Sequence, residues 1–316
     1  MAVRSVILDC DPGLDDAFAI LLALASRADI NLLGITTVAG NVGLHHTTKN
    51  ALSICELVGI RNVPVFAGCA RAIMGRGSRA PEIHGEDGVG GAELPAPQFE
   101  LQSQHGVDFI IETCLNAKDG EITICPIGPM TNIALAIIKE PGIIPKIKEI
   151  VFMGGAAFNI GNITPYAEFN IHADPHAGEV VLQSGVPCVM FGLDVTHQAV
   201  ITDDRLHEIS HIGGDIGPVL AHMLAYYARA TKKAGGEKAN GVLHDPCVIA
   251  YLIDPSIFKG EDHFVSVETQ AGHNEIGNTV VDESGTSANP RNVKIITDMD
   301  AERFYDLLIE RISSLS

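Results

Sequence analysis

Residues Val6–Ile20 read VILDCDPGLDDAFAI. Val6–Leu8 is a short run that is apolar on both faces, the pattern of a strand buried inside a parallel sheet. Pro12 and Gly13 break the run. Asp15 and Asp16 then open an Ala/Leu/Ile-rich segment of helical length, where acidic side chains meet the positive end of a helix. Strand, tight turn and helix together make the opening of an α/β unit. The same stretch sets Asp9, Asp11, Asp15 and Asp16 within eight residues. Four carboxylates at one turn repel each other unless a cation neutralises them. Hard oxygen donors at that density favour Ca²⁺ or Mg²⁺ over Zn²⁺. Helix capping accounts for Asp15 or Asp16, but not for all four.

Working outward, short Val/Ile-rich runs alternate with helical patterns. The strands are expected at Ser5–Asp9, Asn31–Val38, Val63–Phe66, Glu121–Cys125, Glu149–Met153, Val186–Phe191, His263–Val267 and Lys294–Thr297. Helices are expected near Asp15–Ser26, His45–Val58, Gly106–Asn116, Met130–Lys139, Pro175–Gln183, Asp215–Lys233, Asp245–Leu252 and Asp300–Ile312. This alternation predicts one large α/β domain over residues 1–316, Rossmann-like, with a mostly parallel central sheet and helices on both faces. Three stretches interrupt it: Gly68–Pro97, Ala156–Asp174 and Lys232–Leu243. The first and last are candidates to close over a ligand. Polar clusters follow three strands, at Asp9–Asp16, at Gly40–Asn41 and at Met153–Asn170. In a parallel sheet such strand ends share one edge, where α/β sheets bind ligands.

Composition removes several classes. A formal net charge of -18 repels nucleic-acid phosphates and anionic lipid, so a small neutral or cationic substrate is expected, with no nucleic-acid or membrane partner. Seven scattered Cys without a CxxC pair imply free thiols and a reducing compartment. The N-terminal residues carry no signal-peptide pattern, and a cytoplasmic location is expected. GxxxxGK[ST] and a post-strand GxGxxG are absent, and the acidic turn lacks EF-hand spacing. His172/His176 and His207/His211 stand four apart but lack an HExxH glutamate, and no zinc site is expected there.

DCDPGLDDA resembles the DxDxxxDD signature of the inosine–uridine-preferring nucleoside hydrolase family. PIGPMTNIA (126–134), VFMGGA (151–156), GNITPYAEFNIHADP (161–175) and HDPCVIAY (244–251) resemble that family's other blocks, in order and over nearly the whole chain. The resemblance implies hydrolysis of a nucleoside's N-glycosidic bond, serving nucleoside salvage. Asp11, Asp16 and Asp245 would bind Ca²⁺ with the Ile127 carbonyl, and the ion would hold the ribose diol and acidify the attacking water. Asp11 would also be the general base, with Asn41 orienting that water. Asp15, Asn162, Glu168 and Asn170, beside the Met153 backbone, would hold the ribose as it gains oxocarbenium character. Strand-like alternation in AEFN would send Glu168 and Asn170 to one face; an ordinary polar loop is the alternative. His244 would protonate the leaving base, although a His before an Asp-Pro helix start is equally a capping element. His84 would be a second base-side histidine.

No Trp is present and His244 is, which separates this chain from purine-specific relatives that sandwich the base between Trp rings. Uridine or inosine, and also cytidine, are the expected substrates. Phe169, Tyr226 and Tyr227 would wall the base, one of the tyrosines serving the core. A homodimer or homotetramer is expected from the resemblance. Two rival readings remain open: a Mg²⁺-dependent DxD phosphatase or phosphotransferase with Asp9 as nucleophile, and a nucleoside-binding protein without catalysis.

Overall fold

A computed structural model of the chain describes residues 3–75, 77–235, 241–270, 275–286 and 288–316. Residues 236–240 of the Lys232–Leu243 connection lie outside the described residues, as does Arg76 within Gly68–Pro97.

The strands are β1 Arg4–Cys10, β2 Ile30–Thr37, β3 Val65–Ala67, β4 Ile122–Pro126, β5 Ile147–Met153, β6 Cys188–Phe191, β7 Phe258–His263, β8 Val265–Val267, β9 Thr279–Val281 and β10 Val293–Met299. The helices are α1 Asp16–Ala25, α2 Leu44–Leu57, α3 Pro81–His84, α4 Gly106–Leu115, α5 Thr131–Lys139, α6 Phe169–Ala173, α7 Pro175–Leu182, α8 Leu193–Thr196, α9 Asp203–Ser210, α10 Ile216–Gly235, α11 Pro246–Ile253 and α12 Ala301–Ser313. Eight strands form one sheet in the order β3-β2-β1-β4-β5-β6-β10-β7. Every neighbouring pair is parallel except β10 with the edge strand β7.

β1 lies inside this sheet between β2 and β4. Its side chains alternate between two cores. Val6, Leu8 and Cys10 join α1, α2 and α10–α12 on one face, and Ile7 joins α4, α5 and α7 on the other. That two-sided burial is why the run reads as continuously apolar. Helix α1 is buried on nearly all sides, from Asp16 to Leu24, as an all-round apolar helix must be. Phe18, Ile20, Leu21, Leu22 and Leu24 each contribute about 2 kcal/mol by leaving water. This anchoring helps to offset the cost of the charged turn before it.

The single α/β domain and its parallel sheet match the expectation, and the departures are local. The strand expected at His263–Val267 is two elements: β7 ends at His263, and β8 pairs with β9 in a separate hairpin. AEFN is not a strand. Glu168 caps α6, its carboxylate accepting hydrogen bonds from Asn170 N and Ile171 N. The sequence reading missed α9, a polar surface helix whose N-cap Thr202 accepts from Arg205 N. Among the described residues, no helix is long and apolar enough to cross a membrane.

Candidate active site

The C-terminal end of β1 delivers Asp9 and Asp11 to the sheet edge, and the DPG turn brings Asp15 and Asp16 back over it. Asp16 reaches backward: its Oδ1 accepts from Asp11 N at 3.1 Å and its Oδ2 from Gly13 N at 2.9 Å. Asp15 stands at the N-cap of α1 without a side-chain capping bond. The backbone N–H groups of His244 and Asp245 act on its carboxyl in the direction that favours the charged form. Asp245 stands at the N-cap of α11 and likewise makes no side-chain cap. Capping therefore explains neither aspartate. Ligand oxygens of Asp15, Asp16 and Asp245 all lie within 4.8 Å of one another, so the two ends of the chain meet here. The tightest trio thus contains Asp15 where the sequence reading placed Asp11.

Asp11 adjoins that trio. Its Oδ2 accepts from Asn41 N at 2.6 Å, and its Oδ1 is buried with no partner. The Asn41 side chain closes the group by donating to Asp11 O and Asp16 Oδ2, each at 3.2 Å. Gly40 and Gly128 wall Asp11 on both sides; a methyl group at Gly40 would meet Asp11 Oδ2, and one at Gly128 would meet Asp11 Oδ1. Burial, with the charge of Asp16 next, holds the Asp11 carboxyl well above the usual range. Burial raises Asp15 to about 7, again with Asp16 as the next cause, and Asp16 to about 6. Asp245 is also raised by burial and by Asp15, Asp16 and Asp11. An unsatisfied buried oxygen beside three converging carboxylates is what a divalent cation would complete.

A cavity of about 630 Å³ opens above this floor, and among the described residues neither Lys nor Arg lines it. It is lined by Asp15, Asn41, His84, Ile127, Met153, Asn162, Glu168, Phe169, Asn170, Tyr227, His244 and Asp245, which are all the expected site residues except Asp11 and Asp16. On the β5 side, Asn170 Nδ2 donates to Ile127 O at 2.9 Å and Met153 O at 3.2 Å. Glu168 accepts from Gly155 N at 2.9 Å, and Asn162 Oδ1 from Phe169 N at 2.9 Å. Burial raises Glu168 to about 7. The two tyrosines divide: Tyr227 faces the cavity near the His84 ring, at 6.0 Å between centroids, while Tyr226 packs over Gly90.

Two histidines face the cavity. His84 Nδ1 accepts from Leu14 N at 3.2 Å, so in the neutral ring the proton sits on Nε2. His244 Nδ1 lies 2.8 Å from Thr196 Oγ1. Burial lowers His84 to about 4 and His244 to about 3, so both rings are neutral near pH 7.

Residues matching 6–306 fit the sequence profile of the inosine-uridine preferring nucleoside hydrolases. The chain belongs to that family. Among its relatives, the pyrimidine-specific ribonucleoside hydrolase RihB of Escherichia coli is 44% identical over 310 residues, 98% of this chain and 97% of RihB. An uncharacterized protein of Schizosaccharomyces pombe is 45% identical over 311 residues, 98% and 99% of the two chains. A purine-preferring ribonucleoside hydrolase from Gardnerella vaginalis has the same fold, with a TM-score of 0.91, 32% identity and 99% coverage of both chains. This nucleoside hydrolase is therefore an enzyme of the ribonucleoside hydrolase class. The phosphatase reading also fails on geometry. Asp9, its nucleophile, is fully buried, and its Oδ1 is held by Thr36 Oγ1 at 2.5 Å and Asn132 Nδ2 at 2.7 Å.

Sequence reasoning missed several cavity residues of this nucleoside hydrolase: Glu82, His197, Val200, Thr231 and Val242. His197 stands 5.9 Å from His244 between ring centroids. LDVTHQ follows a recognisable strand, so the sheet-edge rule applied there would have flagged Thr196 and His197. The His207 and His211 rings lie tilted at 4.3 Å between centroids at the C-terminal end of α9, apart from the acidic cluster that is the one candidate metal group among the described residues.

Proposed function

We propose that this enzyme hydrolyses uridine, inosine and cytidine-type ribonucleosides to ribose and free base, with Ca²⁺ as cofactor. The observation that carries this reading is one cavity with aspartates from both ends of the chain at its floor and two neutral histidines on its walls. Asp11, Asp16 and Asp245, with the Ile127 carbonyl, would hold the cation, and Asp15 lies close enough to share in that set. When bound, the cation supplies the charge that lets these carboxylates ionise together, coordination sites for the ribose diol, and acidification of the attacking water.

The chain's own groups do the rest. Asp11, oriented by Asn41 N–H, takes the proton from water. Asp15, Asn162, Glu168 and Asn170 hold the sugar, and their negative or dipolar oxygens stabilise positive charge growing at the anomeric carbon. Phe169 and Tyr227 enclose the base. His84 already carries its proton on Nε2 and, in the neutral state, can donate a hydrogen bond from it that stabilises negative charge on the departing base. His244 can do the same when the Thr196 hydroxyl turns to donate to Nδ1. Among the described residues the cavity lining carries no Lys or Arg, which favours uncharged nucleosides over their phosphates. We place the enzyme in a reducing, cytoplasmic compartment on its free thiols, and as a homodimer or homotetramer on the family resemblance.

The test is release of reducing sugar and free base over a nucleoside panel. Uridine, inosine and cytidine are expected to be cleaved. Adenosine and guanosine cleaved far faster than uridine would overturn the substrate assignment, and binding without sugar release would overturn catalysis.

A further inference from the structure

Asn50 lies on α2, outside the cavity lining, and is 4% exposed. Its Nδ2 donates to Pro12 O at 3.0 Å and to Asp87 O at 2.8 Å. One amide thus joins the acidic DPG turn to the segment that follows α3 and carries His84 at its start. The segment is seated directly on this amide: a methyl group on Gly88 would lie 2.9 Å from Asn50 Nδ2 and 3.2 Å from Pro12 O. The Asp87 side chain closes its own turn through Val89 N and Gly91 N, which leaves its carbonyl free to face Asn50. On the outer side His222 Nε2 lies 3.1 Å from Gly90 O. Asn50 is the inner clamp, and it touches the same turn whose Leu14 N–H fixes the proton of His84.

We propose that Asn50 is a positioning residue for the hydrogen bond that stabilises the leaving base: it locks the His84 segment onto the Pro12–Leu14 turn, so that the Leu14 N–H to His84 Nδ1 bond forms and Nε2–H is held toward the base. This deepens the role given to His84 above and rests on it. With Asn50 truncated, the Pro12 and Asp87 carbonyls lose their shared donor. The contact between the two segments then rests on the bond from Leu14 N to the His84 ring itself, so the tautomer and aim of that ring are held less firmly. Asp16 and Asp11 keep their own bonds from Gly13 N and Asn41 N.

The test compares kcat for uridine, whose departing base needs a donor to stabilise its negative charge, with kcat for 4-nitrophenyl β-ribofuranoside, whose stable phenolate leaves without one. Wild type, Asn50→Ala, His84→Ala and the double variant are assayed on both. The expected result for Asn50→Ala is a fall of about tenfold or more on uridine, with the 4-nitrophenyl riboside within about twofold of wild type. In the His84→Ala background the Asn50 substitution should cost nothing further on uridine, since coupled residues are non-additive. Asn50→Ser serves the same comparison if truncation to Ala prevents folding. Equal losses on both substrates, no loss on either, or multiplicative losses in the double variant would overturn the positioning role. If His84→Ala itself retains the wild-type uridine rate, the His84 assignment fails first, a result distinct from failure of Asn50 alone.

Discussion

Asp11 is gripped on one oxygen and bare on the other, and this asymmetry defines its chemistry. Asn41 N–H fixes Oδ2, which leaves the buried, unpartnered Oδ1 for a ligand that the protein itself does not provide. Removing this carboxylate should abolish proton transfer and relieve repulsion from Asp16. Asp11→Ala is therefore expected to lower kcat on uridine by about 10³-fold while the chelated protein's Tm stays level or rises. A fall of several degrees with activity retained would mark Asp11 as structural. The two histidines make an opposite kind of prediction. With folded values of about 4 and about 3, both rings are already neutral well below pH 6. The kcat profile on uridine should therefore show no ionisation near pH 6.5. A descending limb there would mean that an imidazolium does the work.

The turns between strand and helix carry the site, and they account for what the sequence made legible. VILDCDPGLDDA announced its strand, its turn and its excess of carboxylates because each follows from local rules of burial, Pro/Gly geometry and charge repulsion. The cluster after β5 was legible from its place at a strand end, but the particular roles of Asn170 and Met153 were legible only through the family's blocks. Asn50 was invisible: an Asn in mid-helix looks like solvent-facing filler, and its role depends on two carbonyls 38 and 37 residues away. The AEFN alternation misled because Glu168 meets its backbone partners as a helix cap, which has no period of two. Close approach at the β2–α2 and β4–α5 turns yields a further expectation. A methyl group at Gly128 would enter the space of Asp11 Oδ1. Gly128→Ala should therefore weaken cation affinity and lower kcat by about 100-fold, against a small change in Tm. Calcium titration alongside thermal unfolding checks this, and unchanged affinity would contradict it.

At the scale of the whole molecule, the parallel sheet places β1, β2, β4 and β5 ends on one edge, and α11 brings Asp245 from the far part of the chain to meet them. Two apolar cores hold this edge against its own repulsion, and the repulsion should be measurable. Asp15 and Asp16 carry folded values of about 7 and about 6, above their ordinary 3.8, chiefly through burial. The folded, cation-free protein thus holds protons that the unfolded chain releases. The associated stability is present at acid pH and is lost as pH rises through about 6 to 7. Chelated protein should accordingly melt at lower temperature at about pH 8 than at about pH 5, and added Ca²⁺ should raise Tm more at the higher pH, since it displaces protons. A pH-independent Tm would contradict this. The most direct test of the cation-centred site is uridine hydrolysis by chelator-stripped enzyme as Ca²⁺ is returned. The arrangement of Asp11, Asp16 and Asp245 predicts no ribose release in chelator and full recovery with Ca²⁺; an undiminished rate in the stripped enzyme would contradict it.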